Sequence, residues 1–383
     1  MPRIRRIRRK KPRAGSVWKK LLLWGVLGML VLAAAVVAGS YLYVRAYLKS
    51  DGFLAMLEQS AVDDMNVETA RIDPLDWDGS GIRCGGVTME GHEFLTSLQA
   101  RNIETEFSRW ELLKRAFVIT SVNIAELKLR LAPVPFRFRE KPEGARSWAE
   151  ENILPDTFRL EKGSIDSLSV SYGEAGRPYV LDGTRVESAY DAGSSQYRFE
   201  MQGGRLLLPF KGCPEFSLMS GTAQFNHASR RVNVPSCRLT TAAGGYLDIK
   251  GDWDGSSSSW TANMVVNGVP ASSVLEGHWK KHVQGSVSGG IDLRGGRDGV
   301  THVAGLARLQ GGMLTGLPVL DRLALFCGSS RFRNLPLHEA SAQFSYQESA
   351  WHISNILVES ENLVRVEAVS YTHLRAHETR HDL

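Results

Sequence analysis

The sequence predicts a mainly β protein: one N-terminal transmembrane helix followed by an elongated antiparallel β-sheet or groove with a few short helices. Three observations predict it. Residues 21–44, "LLLWGVLGMLVLAAAVVAGSYLYV", form 24 residues without a charge, enough to cross a bilayer core. From residue 65 onward, short runs of alternating apolar and polar residues recur at intervals of about a dozen, punctuated by Gly, Asn, Asp and Ser. Helical periodicity is confined to brief stretches between those runs.

Residues 1–20 carry ten Lys and Arg and no acid, so the net charge of +5 hides a remainder near −5. The sequence pI of about 9.0 therefore reports one basic block, and no nucleic-acid partner is expected from it. Trp24, Tyr41, Tyr43 and Tyr47 sit near the two ends of the apolar stretch, where aromatic side chains anchor at interfaces. Only Arg45 and Lys49 follow it closely, so the positive-inside rule makes residues 1–20 a cytoplasmic segment and puts the rest outside. A cleaved signal peptide is the alternative. Its apolar region would be too long, and Val-Val-Ala-Gly is a weak cleavage site.

Next, "SDGFLAMLEQSA" places Phe53, Met56, Leu57 and Ala61 on one side of a short helix. "NVETARIDPLDW", "GIRCGGVTME" and "SLQARNIETEF" read as strands. Ser108 and Glu111 form a capping box for a brief helix through "SRWELLKRA". In "FVITSVNIAELKLRLAP", Leu127, Leu129 and Leu131 alternate with Glu126, Lys128 and Arg130, giving an apolar and a charged face. Residues 45–132 form the first unit. Residues 133–156 hold four prolines and read as a linker with a short helix at "SWAEENI".

Residues 157–284 form a β-rich middle region and residues 285–368 a final one. Ala262, Met264 and Val266 alternate in one, and Ala340, Ala342, Phe344 and Tyr346 in the other. "VPASSVLEGHWKK", residues 269–281, interrupts the strands as a short helix or turn. The eight residues Leu127, Leu129, Leu131, Ala262, Met264, Val266, Phe344 and Tyr346 are the candidate site. They are expected to share one continuous apolar surface that contacts acyl chains, or else the inside of an ordinary sandwich.

No constellation for chemistry emerges, so no catalytic residue, cofactor or metal ligand is assigned and the protein is expected not to be an enzyme. "WDGSGIRCGG" and "LRGGRDG" read as turns because neither joins a strand to a helix as a phosphate cradle does. "DWDGS" lacks the closing Glu of a calcium loop and reads as a hairpin turn. His278 and His282 stand four apart with no acid or thiol nearby and read as a solvated pair. The four cysteines have no zinc spacing. Cys213 and Cys237 either bridge neighbouring strands or stay as buried thiols.

"HETRH", residues 377–381, has the His-Glu-His spacing of a zinc-protease helix. No third ligand follows before Leu383. Residues 369–379, "VSYTHLRAHET", instead resemble the reading-frame translation of a transposase-end adapter used in sequencing libraries. Residues 369–383 are therefore set aside as an adapter-read artefact that truncates the native C-terminus, and the protease reading is rejected.

Two stretches resemble the AsmA-like family of bacterial envelope proteins. In residues 18–132 the resemblance lies in the anchor, "LKSDGFLAMLEQSA", the Leu112–Leu113 pair, the run 118–124 and the alternating leucines. In residues 285–367 it lies in "GSVSGGIDLRGG", a Gly-Leu-Pro before a Leu-rich turn, a two-strand hairpin and a last strand. The middle matches only in strand rhythm. The resemblance implies an inner-membrane, single-pass protein with its N-terminus in the cytoplasm and its bulk in the periplasm. It further implies a β-groove, related to chorein-type lipid-transfer bridges, that carries phospholipid between inner and outer membranes or aids outer-membrane assembly. The expected partners are the inner membrane, phospholipid and outer-membrane proteins. A scaffold that recruits outer-membrane or secretion partners is the alternative.

Overall fold

A computed structural model describes residues 50–368 apart from 66, 78–80, 92, 109–115, 135–156, 174–175, 210–212, 227, 276, 297–298, 348–349 and 361–362, together with residues 46 and 374–375. The apolar stretch 21–44, residues 109–115 of the helix expected at 108–116, the helix expected in the linker, and His377 and His381 fall outside the described residues, and Ala116, the expected end of that first helix, is already strand. Among those described, no helix is long and apolar enough to cross a membrane.

The chain is mainly β, in one sheet with a few short helices. Helix α1 (Asp51–Met65) leads into β1 (Thr69–Ile72), β2 (Leu75–Trp77), β3 (Gly81–Glu90), β4 (Leu95–Phe107) and β5 (Ala116–Leu131). Then follow β6 (Thr157–Leu160), β7 (Lys162–Tyr172), β8 (Tyr179–Asp191), β9 (Gln196–Gln202), β10 (Arg205–Leu207) and β11 (Phe216–Asn226). The meander continues with β12 (Arg231–Thr241), β13 (Tyr246–Asp254) and β14 (Ser259–Pro270), then α2 (Ala271–Val274) and α3 (Trp279–His282). Last come β15 (Val283–Gly296), β16 (Gly299–Thr315), α4 (Pro318–Phe326), a 3-10 turn (Ser330–Arg333), β17 (Asn334–Leu337), β18 (Glu339–Gln347), β19 (Ala350–Ser360), β20 (Val364–Ala368) and β21 (Leu374–Arg375).

Pairing follows chain order almost throughout, from β3–β4–β5 through β7–β8–β9 to β11–β16 and then β18–β19. The expected all-antiparallel sheet needs one correction. Strand β5 runs parallel to both β6 and β7. A parallel neighbour requires a return crossing of a dozen or more residues, and the proline-rich connection after β5 has that length. Strand β15 runs through the 284/285 boundary expected between the middle and final regions.

The register puts different devices on the two long rims. The hairpins 191–196, 226–231, 254–259 and 296–299 all lie on one rim, because each joins strands paired at those ends. Three of them are capped by the side chain of their first residue, which accepts from the N–H two places on in the first and third and three places on in the second. Asp191, Asn226 or Asp254 opens the turn, and its side-chain oxygen accepts from the N–H of Gly193, Ser229 or Ser256 at 2.9 Å. Ser195, Arg230 or Ser258 closes it at φ 54°, 52° or 54°, the Asx-type turn that such residues build. Helices α1 to α4 lie on the opposite rim.

Several local expectations change. "IRCGG" is strand, as the reading of "GIRCGGVTME" has it, and not the turn that its glycines suggest; Gly85 and Gly86 lie inside β3, where a Cβ would come within 2.9 and 3.1 Å of the Asp73 carboxylate. The Leu-rich turn after Gly-Leu-Pro is a nine-residue helix, α4, with Pro318 in its first turn. In α1 the inward residues are Phe53, Leu57 and Ala61 with Leu54 and Val62, whereas Met56 faces solvent. His282 keeps an edge-on contact with His278, ring centroids 6.2 Å apart, but is half-buried rather than solvated. Its Nδ1 lies 2.7 Å from the Thr315 carbonyl, which fixes α3 to the end of β16. Leu374 and Arg375, within the tail set aside above, pair with Trp351 and Ala350. An open strand edge accepts any backbone that reaches it.

Two buried clusters lie toward the helical rim. Phe216, Leu218, Leu239, Leu247 and Val269 form one, and Leu320, Leu335 and Leu337 form the other beneath α4.

Candidate functional site

Side chains of directly opposed residues share a face of a sheet, so the pairing register assembles the surface. One row begins at Leu75, opposite Cys84, and continues through Ile103, Ile124 and Ile165. It passes to Val186, Met201 and Gly221. Beyond these lie Cys237, Ile249, Met264 and Ile291. Gly305, Phe344 and Ile353 complete it. The row crosses fifteen strands without a polar side chain. At the usual strand spacing this is about 65 Å along the sheet.

Of the eight predicted residues, Ala262, Met264 and Val266, and Phe344 and Tyr346, lie on this face by alternation. Leu127, Leu129 and Leu131 stand an odd number of residues from Ile124 and join it across a break in the ladder at Asn102 and Ala125, where Asn102 takes φ 50°. Leu127 and Leu129 stand opposite Leu168 and Val170, and Leu131 opposite Tyr172. Val266 is paired with Leu247, and Ala262 with Leu293. Tyr346 faces Trp351 with ring centroids 5.1 Å apart. All eight are half-buried. Met264 and Val266 pack at the margin of the Phe216–Val269 cluster. The eight therefore occupy one face but not one spot. Nearer the hairpin rim the same face turns aromatic: Tyr190 opposes Tyr197, Tyr197 opposes Phe225, and Trp253 opposes Trp260.

Sequence reading missed Ile103, Ile124, Ile165, Ile249, Ile291 and Ile353, although each sits in an alternating run. The pattern within a strand was visible, but the row is a property of register, which the pattern does not give. It also missed why glycines interrupt the floor. A Cβ at Gly305 would collide with the Phe344 ring, and one at Gly295 with the Trp260 ring. The rings lie across the neighbouring strand, so these glycines complete the apolar surface through close approach.

The opposite face is charged and internally paired. Arg83 lies 3.5 Å from Glu104 across strands. Glu187 and Glu200 are directly opposed, and each is neutralised from its own strand, by Arg185 and Arg198 at 3.1 Å. Arg238 holds Asp248 through two hydrogen bonds of 2.6 and 2.7 Å, and that contact lowers the Asp248 carboxyl below its ordinary range. Ser169 and Arg205 do the same for Asp182. A cavity of about 530 Å³ also opens near the hairpin rim and is lined mainly by polar-face residues such as Asn233, Asp252 and Thr261. Its groups are matched to one another: Asn233 donates to Asp252 at 2.7 Å and Arg231 lies 3.0 Å from Asp254.

The described cysteines are free thiols. Cys213 and Cys237 flank the same apolar cluster without a bond between them, and burial pushes the thiols of Cys84, Cys213 and Cys237 up. Two of them, Cys84 and Cys237, belong to the apolar row, where a protonated thiol acts as a small hydrophobe. Among the described residues, no group of three or more His, Cys, Asp or Glu could hold a metal ion.

No family model, curated protein or solved structure matches the chain.

Proposed function

We propose that the protein is a non-enzymatic carrier of acyl chains, acting in the cell envelope as a phospholipid conduit between inner and outer membranes or in outer-membrane assembly. The observation that carries this reading is the fifteen-strand apolar row, half-buried over much of its length and backed by a charged face. An apolar surface of that extent is costly to leave in water, at roughly 25 cal/mol per Å². Acyl chains would cover it without demanding polar partners, since the row offers none. The resemblance of residues 18–132 and 285–367 to AsmA-like proteins points the same way.

A scaffold is the second reading. It is favoured by α4, which closes the face over Leu335 and Leu337 and shows that this chain covers part of its own floor.

The test places Asp at Leu129 and, separately, at Met264, then measures thermal unfolding and co-purified phospholipid. In a lipid-lined floor each variant stays folded and loses lipid, because the new carboxylate reaches water once lipid leaves. In a closed core each variant unfolds, since an unpaired buried charge is costly. Unfolding of both, with no phospholipid bound to the parent, rejects the conduit and leaves the scaffold.

A further inference from the structure

We propose that the α3–α4 corner of the helical rim docks on the surface of an anionic phospholipid bilayer. Helix α4 buries Leu320 and Ala324 against the sheet. Its outer side carries Val319, Arg322 and Phe326, at the i, i+3, i+7 spacing of one helical face, with Leu325 beside them. Leu325 is 76% exposed and Phe326 is 90% exposed, the two most exposed large apolar side chains described. Trp279 of α3 is also exposed.

The two helices belong to one corner. The register sets Val283 opposite Leu314, so α3 enters β15 where α4 leaves β16. His282 and Thr315 fasten them, through the Nδ1 contact with the Thr315 carbonyl and through the Thr315 hydroxyl, which donates to the Lys281 carbonyl at 3.4 Å.

The charge of this corner differs from that of the rest of the outer region. Residues 278–282 and 317–333 contain Lys280, Lys281, Arg322, Arg331 and Arg333 against one acid, Asp321, which lies 3.9 Å from Arg333. Everything after residue 20 is near −5 overall. Protruding Leu, Phe and Trp ringed by Lys and Arg are what an interfacial helix needs, because the apolar groups enter the headgroup boundary while the cations face lipid phosphates. A second copy would bring five cations against five. The basic block 1–20 would be repelled in the same way.

This inference does not depend on the conduit, and the two can fail separately. The full-length chain would carry an environment-sensitive fluorophore on Cys327, the exposed thiol that follows Phe326. Vesicles of phosphatidylcholine, with and without phosphatidylglycerol, are then added. Emission is expected to shift only with phosphatidylglycerol, and to shift back at high salt. F326D, and separately R322E/R331E, should each weaken vesicle binding by at least about tenfold, with thermal unfolding unchanged because these side chains lie outside the core. The proposal is overturned by an unchanged emission with phosphatidylglycerol, or by an equal shift in the variants. It is equally overturned if the fluorophore is already shielded without lipid, which assigns the corner to another segment of this chain. A shift with protein concentration alone assigns it to a second copy.

Discussion

The corner beneath α4 and the open floor around Ile291 are built from the same kind of strand, yet one is closed and the other is not. Leu335 is 2% exposed because Leu320 of α4 lies over it. Ile291, on the same face, is only half-buried and belongs to neither buried cluster. Alternation sends side chains to one face; whether that face becomes a core depends on what the chain lays across it. Truncation measures the difference. Leu335→Ala should cost about 3 kcal/mol, as for a well-packed leucine, whereas Ile291→Ala should cost about 1 kcal/mol. Denaturant unfolding of both variants checks this. Equal costs would mean that the floor is covered, and the contrast between the two regions would collapse.

How far the sequence carried this contrast can be read residue by residue. Alternation put Leu127, Leu129 and Leu131 on one side of their strand and Ala262, Met264 and Val266 on one side of theirs, and that strand-by-strand grouping is what the ladders show. Turn chemistry was equally legible: "DWDGS" is a hairpin whose Asp254 caps the turn. Two things were not legible. The parallel step between β5 and β7 depends on where a long connection returns the chain, which no local pattern records. Helix α4 was hidden in nine residues that are apolar almost throughout, where helical and strand-like patterns coincide. The cover over Leu335 therefore came only from the structure. The candidate floor was visible strand by strand, and its continuity was not.

Thr184 sharpens the contrast within the floor itself. It lies on the apolar face opposite Leu168, it is fully buried, and its Oγ1 has no hydrogen-bond partner among the described residues. The register around it shifts on both sides, between Ile165 and Leu168 and between Leu168 and Val170, so the floor is irregular there. An unmade buried hydroxyl bond costs about 1–3 kcal/mol. Thr184→Val keeps the shape and removes the donor, and should raise stability by about 1 kcal/mol. Thermal unfolding is the measurement. A loss of stability instead would show that the hydroxyl has a partner and that this part of the floor is wet.

The smallest effect belongs to the hairpin rim, where the three Asx turns give an internal comparison. Asp254 is held to about 2 by the Ser256 hydroxyl first and then by the Ser256 N–H, with Arg231 adding to it. Asp191 is lowered for the same reason, through Ser194 and Gly193. Asn226 fills the same position and does not titrate. The sign follows from the depressed value. A carboxylate that ionises more readily in the folded state contributes stability above the ordinary aspartate range, and that contribution is lost as pH falls through about 2. Asp254→Asn should therefore be slightly less stable than the parent near neutral pH. The gap should narrow below about pH 4 and close near pH 2. Asn226→Asp should do the reverse, adding a pH-dependent contribution that the parent lacks. Thermal unfolding across that range reads both. A gap that stays constant with pH would assign the effect of Asp254 to turn geometry, and would make the three turns equivalent despite their different chemistry.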